Sequence, residues 1–230
     1  MKILVISDHE EKSLWDYWSG KTADRLSDIS LILSAGDLDA DYLEFLVTML
    51  NVPLVYVHGN HDGSYLKKPP KGCIDADGRV IDIKPEKNSE TVRILGLGGS
   101  MRYRENASFM FSENEMRRRI TGLRWTVLKD VIKGKLKGNK SIDILLTHAP
   151  CKGYGDLPDL PHQGFECFNE LLDRLHPRLH VYGHVHKGYG QSCSGRDGGG
   201  QVVSGFRQLM THPTGTTLVN ADGYLVLDYL

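Results

Sequence analysis

The chain has 230 residues, 40% hydrophobic and 25% charged, enough for one sizeable core, and it is expected to form a single domain over 1–230. A formal net charge of −1 supplies no overall field to draw in nucleic acid or an anionic membrane, so attraction for phosphate has to be local. Met1-Lys2 leads directly into an aliphatic run without a basic leader, and no apolar run is long enough to span a membrane. Cys73, Cys151, Cys167 and Cys193 contain no CxxC pair and are too sparse for a disulfide framework. A cytoplasmic protein without membrane or nucleic-acid partners is expected. The cysteines read mostly as small buried hydrophobes; Cys151 lies close to His148 in sequence, and oxidation that disturbs that neighbourhood is the lesser reading.

In chain order, the first run is ILVIS (3–7), which breaks into charge at Asp8-His9-Glu10. LILSAGD (31–37), PLVYVHGN (53–60), RVIDI (79–83), TVRILGLGG (91–99), IDILLTHAP (142–150) and RLHVYGHVH (178–186) have the same aliphatic character and are predicted strands. The closing TTLVNADGYLVLDYL holds Asp222-Gly223 between alternating apolar residues and predicts an antiparallel hairpin. Helices are predicted between the strands. In ADYLEFLVTML (40–50), Leu43, Leu46, Val47 and Leu50 share a face, Asp39 or Asp41 is placed to cap the start, and Asn51-Val52-Pro53 stops it. FSENEMRRR (111–119) opens with a Ser112/Glu115 capping box, GLRWTVLKDVIKGKL (122–136) follows, and FECFNELLDRLHP ends at Pro177. The Gly-rich 187–201 reads as a loop. Strands alternating with helices, then a strand-rich end, predict sheets covered by helices on their outer faces.

At strand after strand, the aliphatic run ends in a residue type that binds metals: Asp8, Asp37, Asn60-His61-Asp62, His148, and His184 with His186. Loops beyond the carboxyl ends of strands converge on one crevice in open α/β sheets, so these side chains are expected to meet there. Carboxylates, imidazoles and an amide oxygen are donors for Mn, Fe or Zn. Along an extended chain His184 and His186 project to one side while Val185 turns into the core. His9, His58, His162, His176, His180 and His212 lack this combined context and read as surface or core histidines.

These motifs resemble those of the calcineurin-like metallophosphoesterase family: D-x-H, G-D, G-N-H-D/E, a later histidine, and G-H-x-H. Here they are matched by Asp8, Gly36-Asp37, Gly59-Asn60-His61-Asp62, His148 and Gly183-His184-Val185-His186. The resemblance implies a four-layer α/β/β/α sandwich, two mixed sheets flanked by helices. It also implies two divalent metal ions, Mn or Fe with Mg or Zn as alternatives: one held by Asp8, Asp37 and His186, the other by Asn60, His148 and His184, with Asp37 bridging. A hydroxide between the metals would attack phosphorus, His61 would protonate the leaving oxygen, and Asp62 would orient His61.

The first motif departs from the pattern, because position 10 is glutamate and a histidine stands at 9. If the chain stays extended past Asp8, Glu10 points with Asp8 and is the ligand; a bulge would substitute His9, and a vacant position is the third alternative. A carboxylate there would favour Mn, Fe or Mg over Zn. For phosphate binding, Arg102 in the loop Met101-Arg102-Tyr103-Arg104 is the expected side chain, while Arg117, Arg118 and Arg119 fan around a helix and read as a solvated surface. The function expected is phosphate-ester hydrolysis by a phosphodiesterase or phosphatase acting on a small or nucleotide-like substrate. A nuclease and a non-catalytic protein-interaction scaffold are the alternatives on the same fold.

Overall fold

The computed structural model describes residues 1–85, 90–132, 141–186, 194–196, 202–204 and 208–229. Its first half runs β1 (Lys2–Ser7), α1 (Gly20–Arg25), β2 (Ile29–Ser34), α2 (Ala40–Leu50), β3 (Leu54–Tyr56), β4 (Ile74–Asp75), β5 (Arg79–Ile83) and β6 (Val92–Leu97). Then come β7 (Ser100–Met101), β8 (Met110–Phe111), α3 (Glu113–Ile132), β9 (Ile144–Thr147), α4 (Glu166–Leu175) and β10 (Leu179–Tyr182). The series closes with β11 (Ser194–Arg196), β12 (Val202–Ser204), β13 (Leu209–Thr211), β14 (Thr217–Asn220) and β15 (Gly223–Asp228).

Two mixed sheets carry the fold, ordered β15-β1-β2-β3-β4 and β13-β14-β10-β9-β6-β5. In the first, β1 to β4 are parallel and β15 lies antiparallel on β1 with Ile3 opposite Leu227. In the second, β6, β9, β10 and β14 are parallel, with β5 and β13 antiparallel at the edges. Side chains alternate across each strand, and that period assigns the layers. Ile3, Val5, Leu31 and Leu33 point between the sheets to meet Ile144, Leu146, Val181 and Val219. Leu4, Ile6 and Ile32 point the other way, onto Tyr42, Leu43 and Leu46 of α2. On the far side Leu95, Leu97 and Leu145 pack against Met116 of α3 and Phe168 and Leu172 of α4. The result is the expected four-layer α/β/β/α sandwich of two mixed sheets flanked by helices. Strands buried on both faces have no polar side to show, which is why they read as unbroken aliphatic runs. Each such Leu or Ile contributes about 1.5–3 kcal/mol by leaving water.

The helix signals resolve as follows. Asp39, not Asp41, caps α2, its Oδ1 accepting the Asp41 N–H at 2.8 Å. The capping box opens α3: Ser112 N–H donates to Glu115 Oε2 at 2.7 Å and Glu115 N–H to Ser112 Oγ at 3.3 Å. The two helices expected after Ser112 are one, continuous through Gly122, whose missing side chain faces open space, so only propensity is lost there, about 1 kcal/mol. Residues 133–136 of that prediction lie outside the described residues. The helix α4 ends before Pro177 as expected, with His176 in the left-handed region.

Asp222-Gly223 is not a hairpin turn. The strands on either side belong to different sheets, so the dipeptide is a crossover, and the hairpin joins β13 to β14 instead. Most of 187–201, read as a loop, lies outside the described residues; β11 within it is a strand, paired antiparallel with β12 just beyond.

Candidate metal centre

Each residue expected from sequence as a ligand stands just past the carboxyl end of a parallel strand: Asp8 after β1, Asp37 after β2, Asn60 after β3, His148 after β9, and His184 with His186 after β10. Among the described residues seven non-glycine side chains sit at positive φ, and three of them are Asp8 (64°), Asp37 (56°) and His184 (70°). Backbone in this region costs energy and collects at functional sites. Two glycines allow the close approach. A Cβ at Gly59 would overlap the Asp37 carboxylate, and one at Gly183 would overlap the Ser7 and Asp8 side chains.

One cluster joins Asp37, His148 and His184, whose donor atoms lie within 4.8 Å of one another. His148 Nδ1 donates to the Ala35 carbonyl at 2.7 Å, leaving Nε2 facing Asn60 Oδ1 at 3.0 Å and Asp37 Oδ2 at 3.4 Å. His184 Nε2 donates to the Pro161 carbonyl at 2.7 Å, which leaves Nδ1 free to bind a cation. Burial holds His184 neutral, its pKa lowered to about 3. Burial pushes His148 the same way, but Asp37 and Asp8 outweigh it and raise its pKa to about 9. Asp37 is held well below the usual carboxylate range: burial opposes this, and the His148 charge and the His61 N–H, at 2.7 Å from Oδ1, prevail.

A second cluster joins His9, His186 and Asp222. Asp222 Oδ1 lies 2.5 Å from His9 Nδ1 and 3.4 Å from His186 Nδ1. Here the expectation for Glu10 fails. The backbone does not stay extended past Asp8; its positive φ and a tight turn from His9 N–H to Ser7 O at 2.6 Å reverse the alternation. Glu10 is turned aside, its Oε1 accepting the Asp39 N–H at 3.1 Å. His9 instead lies beside His186, ring centroids 4.8 Å apart. His184 and His186 both reach the cleft, though through a bend rather than a strand, with Val185 N–H bonded to Gly183 O at 2.8 Å and the Val185 side chain fully buried. Asp8 accepts from Ser7 Oγ and from the His184 N–H at 2.9 Å, and its Oδ1 is buried with no hydrogen-bond partner. Burial raises the Asp8 pKa.

A cleft of about 500 Å³ is lined by Asp8, Asp37, Asn60, His61, His184 and His186, together with Tyr103, Arg104, Pro161 and His162. Asp62 is buried away from it. Its Oδ2 accepts the N–H groups of Gly59 at 2.7 Å and Asp37 at 3.0 Å, so it ties two ligand loops together instead of orienting the His61 ring. Burial, then the Asp37 charge, raises its pKa to about 6. Arg102 also points elsewhere: its Nη2 donates to Glu115 Oε1 at 3.0 Å and to the Met110 carbonyl at 3.1 Å. The guanidinium in the cleft is that of Arg104, which lies over the Tyr103 ring at 5.4 Å. His162, read from sequence as a bystander, also lines the cleft, anchored by Asp159 at 2.5 Å and 5.3 Å from the His184 ring. Cys151 is fully buried and its thiol pKa is pushed up by that burial, so it has neither the access nor the thiolate character of a reactive thiol. Cys193 lies outside the described residues.

The donor set suits divalent cations. It is nitrogen and oxygen without thiolate, one carboxylate oxygen is buried without a partner, and an imidazole lone pair faces two oxygens.

Fold and site together define a cleft with candidate metal-binding groups at the strand ends of a two-sheet α/β sandwich. The calcineurin-like phosphoesterase family model matches residues 1–188, and the chain belongs to that family of metal-dependent phosphoester hydrolases. Among curated proteins it is 41% identical over 59 residues to metallophosphoesterase domain-containing protein 1 of Homo sapiens, a match covering 24% of this chain and 18% of that protein. It is 39% identical over 56 residues to a UPF0046 protein of Caenorhabditis elegans, covering 24% of this chain and 14% of the relative. The matched stretches are thus a small part of those proteins. Among solved structures, TT1561 of Thermus thermophilus superposes with a TM-score of 0.58 at 14% identity, over 99% of this chain and 93% of that one, a likeness of fold alone. No helix among the described residues is long and apolar enough to cross a membrane.

Proposed function

We propose that the chain hydrolyses phosphate diesters of small or nucleotide-like alcohols, using two divalent cations, Mn or Fe, bound in the cleft. The observation that carries this is that one cleft is lined by Asp37 and His184 of the group Asp37/His148/His184 and by His186 of the group His9/His186/Asp222, with Asp8, His61 and Arg104 on the same lining. Bound cations would neutralise charge on the phosphoryl oxygens and supply hydroxide near neutral pH.

The chain's own residues supply the rest. Asp8, Asp37, His186, Asn60, His148 and His184 would hold the cations. Asn60 keeps its amide oriented through the Tyr103 hydroxyl, 3.4 Å from Nδ2. Arg104 offers a forked guanidinium to the non-bridging oxygens. His61 hands a proton to the leaving oxygen, from a ring whose backbone N–H is fixed on Asp37. The diester is favoured over the monoester because Arg104 is the one guanidinium among the lining residues, a match for a single negative charge.

The test is turnover of bis-p-nitrophenyl phosphate and p-nitrophenyl phosphate with excess Mn. Faster release from the diester is expected. Binding of Mn with no hydrolysis of either compound would overturn the hydrolase reading and favour a scaffold.

A further inference from the structure

We propose that Asp222 is the positioning residue of the first cation site: one carboxylate oxygen holds His9 and His186 in a single tautomer, and His9 serves where the family's histidine would stand at position 10. The inference rests on the metal-binding reading above. It concerns a residue beyond the 1–188 stretch that matches the family.

A carboxylate oxygen can only accept, and a neutral imidazole has one N–H to give. With Nδ1 of both rings directed at Asp222 Oδ1, at 2.5 and 3.4 Å, a neutral ring carries its proton on Nδ1 and turns Nε2 into the nitrogen that would bind a cation. Carboxylate support of this kind fixes a ring's orientation and makes its other nitrogen a better ligand. The two rings pack edge to face at 4.8 Å, so they are held as a pair.

Asp222 itself is placed firmly. It is 3% exposed, its N–H donates to Asn220 Oδ1 at 2.9 Å, and Asn220 Nδ2 donates to the Val185 carbonyl at 2.8 Å. The crossover between the sheets is therefore tied directly to the bend carrying His184 and His186. Glu10, committed to the Asp39 N–H, takes no part.

The experiment titrates Mn into the metal-stripped full chain and its variants by calorimetry. The wild type should bind two ions. His9→Ala and Asp222→Ala should each weaken one of the two sites about 10- to 100-fold, with the other unchanged, while Glu10→Gln leaves both at wild-type affinity. Asp222 is buried, so its variant can lose structure; the His9 side chain is 62% exposed, and its removal should leave Tm near wild type. Long-range proton–nitrogen NMR of the stripped protein supplies a second readout: His9 and His186 should both be Nδ1–H tautomers, and Asp222→Ala should abolish that preference. His9→Ala binding two ions as tightly as wild type, or Nε2–H tautomers in the wild type, would overturn the proposal while leaving the hydrolase reading in place. A wild type that binds no Mn would overturn the metal reading with it.

Discussion

His148 Nε2 stands 3.0 Å from Asn60 Oδ1, although the other ring nitrogen already spends its proton on the Ala35 carbonyl. A lone pair facing oxygen acceptors is repulsive, and two things relieve it: a second proton, or a cation. Without a cation the ring takes the proton, and its pKa rises to about 9. That proton stabilises the metal-free fold fully below the ordinary histidine pKa of about 6.5, and its contribution is lost as pH climbs through about 9. The depressed pKa of Asp37 acts only in acid and does not enter this window. Chelator-treated protein should therefore lose Tm between pH 6.5 and 9.5, and Mn-loaded protein should not. As pH rises toward about 9, Mn affinity at the site holding His148 should rise by up to about tenfold per pH unit, since an ion bound there displaces that proton. A melting temperature of stripped protein that stays flat with pH would contradict this.

Replacing His61 by alanine should lower kcat about 10²- to 10⁴-fold without changing Mn content. The loss should be larger for a diester with an alkyl leaving group than for bis-p-nitrophenyl phosphate, because p-nitrophenolate departs without a proton. An equal loss on both substrates would remove His61 from the proton-donor role.

Arg104 and Arg102 separate cleanly. Arg104→Ala should raise KM about tenfold, about 1.4 kcal/mol of lost phosphate binding. Arg102→Ala should leave KM alone and cost less than about 1 kcal/mol of stability, the range for an exposed ion pair such as the one it makes with Glu115. The reverse pattern would restore Arg102 to the site.

Asp62 accepts two buried backbone N–H groups, one from each of two ligand loops. Asp62→Ala should cost about 2–4 kcal/mol in urea unfolding, since both donors are left unsatisfied, and Asp62→Asn, which keeps an acceptor, well under half of that. Equal effects of the two variants would show that the N–H contacts contribute little.

The layers and the polar loops at the strand ends were legible because their signals are local. Ile3 and Val5 alternate with Leu4 and Ile6, and that period sorts them between the inter-sheet core and α2. A polar residue ending an aliphatic run marks a strand end, and the parallel topology brings such ends together. What failed was non-local. Nothing in Asp8-His9-Glu10 announces that Asp8 takes a left-handed φ, so alternation carried one residue too far favours Glu10 over His9. Asp222 is hidden inside a dipeptide that also spells a hairpin. The Ser112/Glu115 box is visible in the sequence, but not that Glu115 draws Arg102 out of the cleft and leaves Arg104 there.

The most direct measurement is the anomalous diffraction of crystals grown with Mn. Two peaks are predicted in the cleft, both touching Asp37, one bonded also to Asn60, His148 and His184 and the other to Asp8, His9 and His186. A cleft without anomalous density at saturating Mn, or a single ion bound without Asp37 and His148, would contradict a two-cation site.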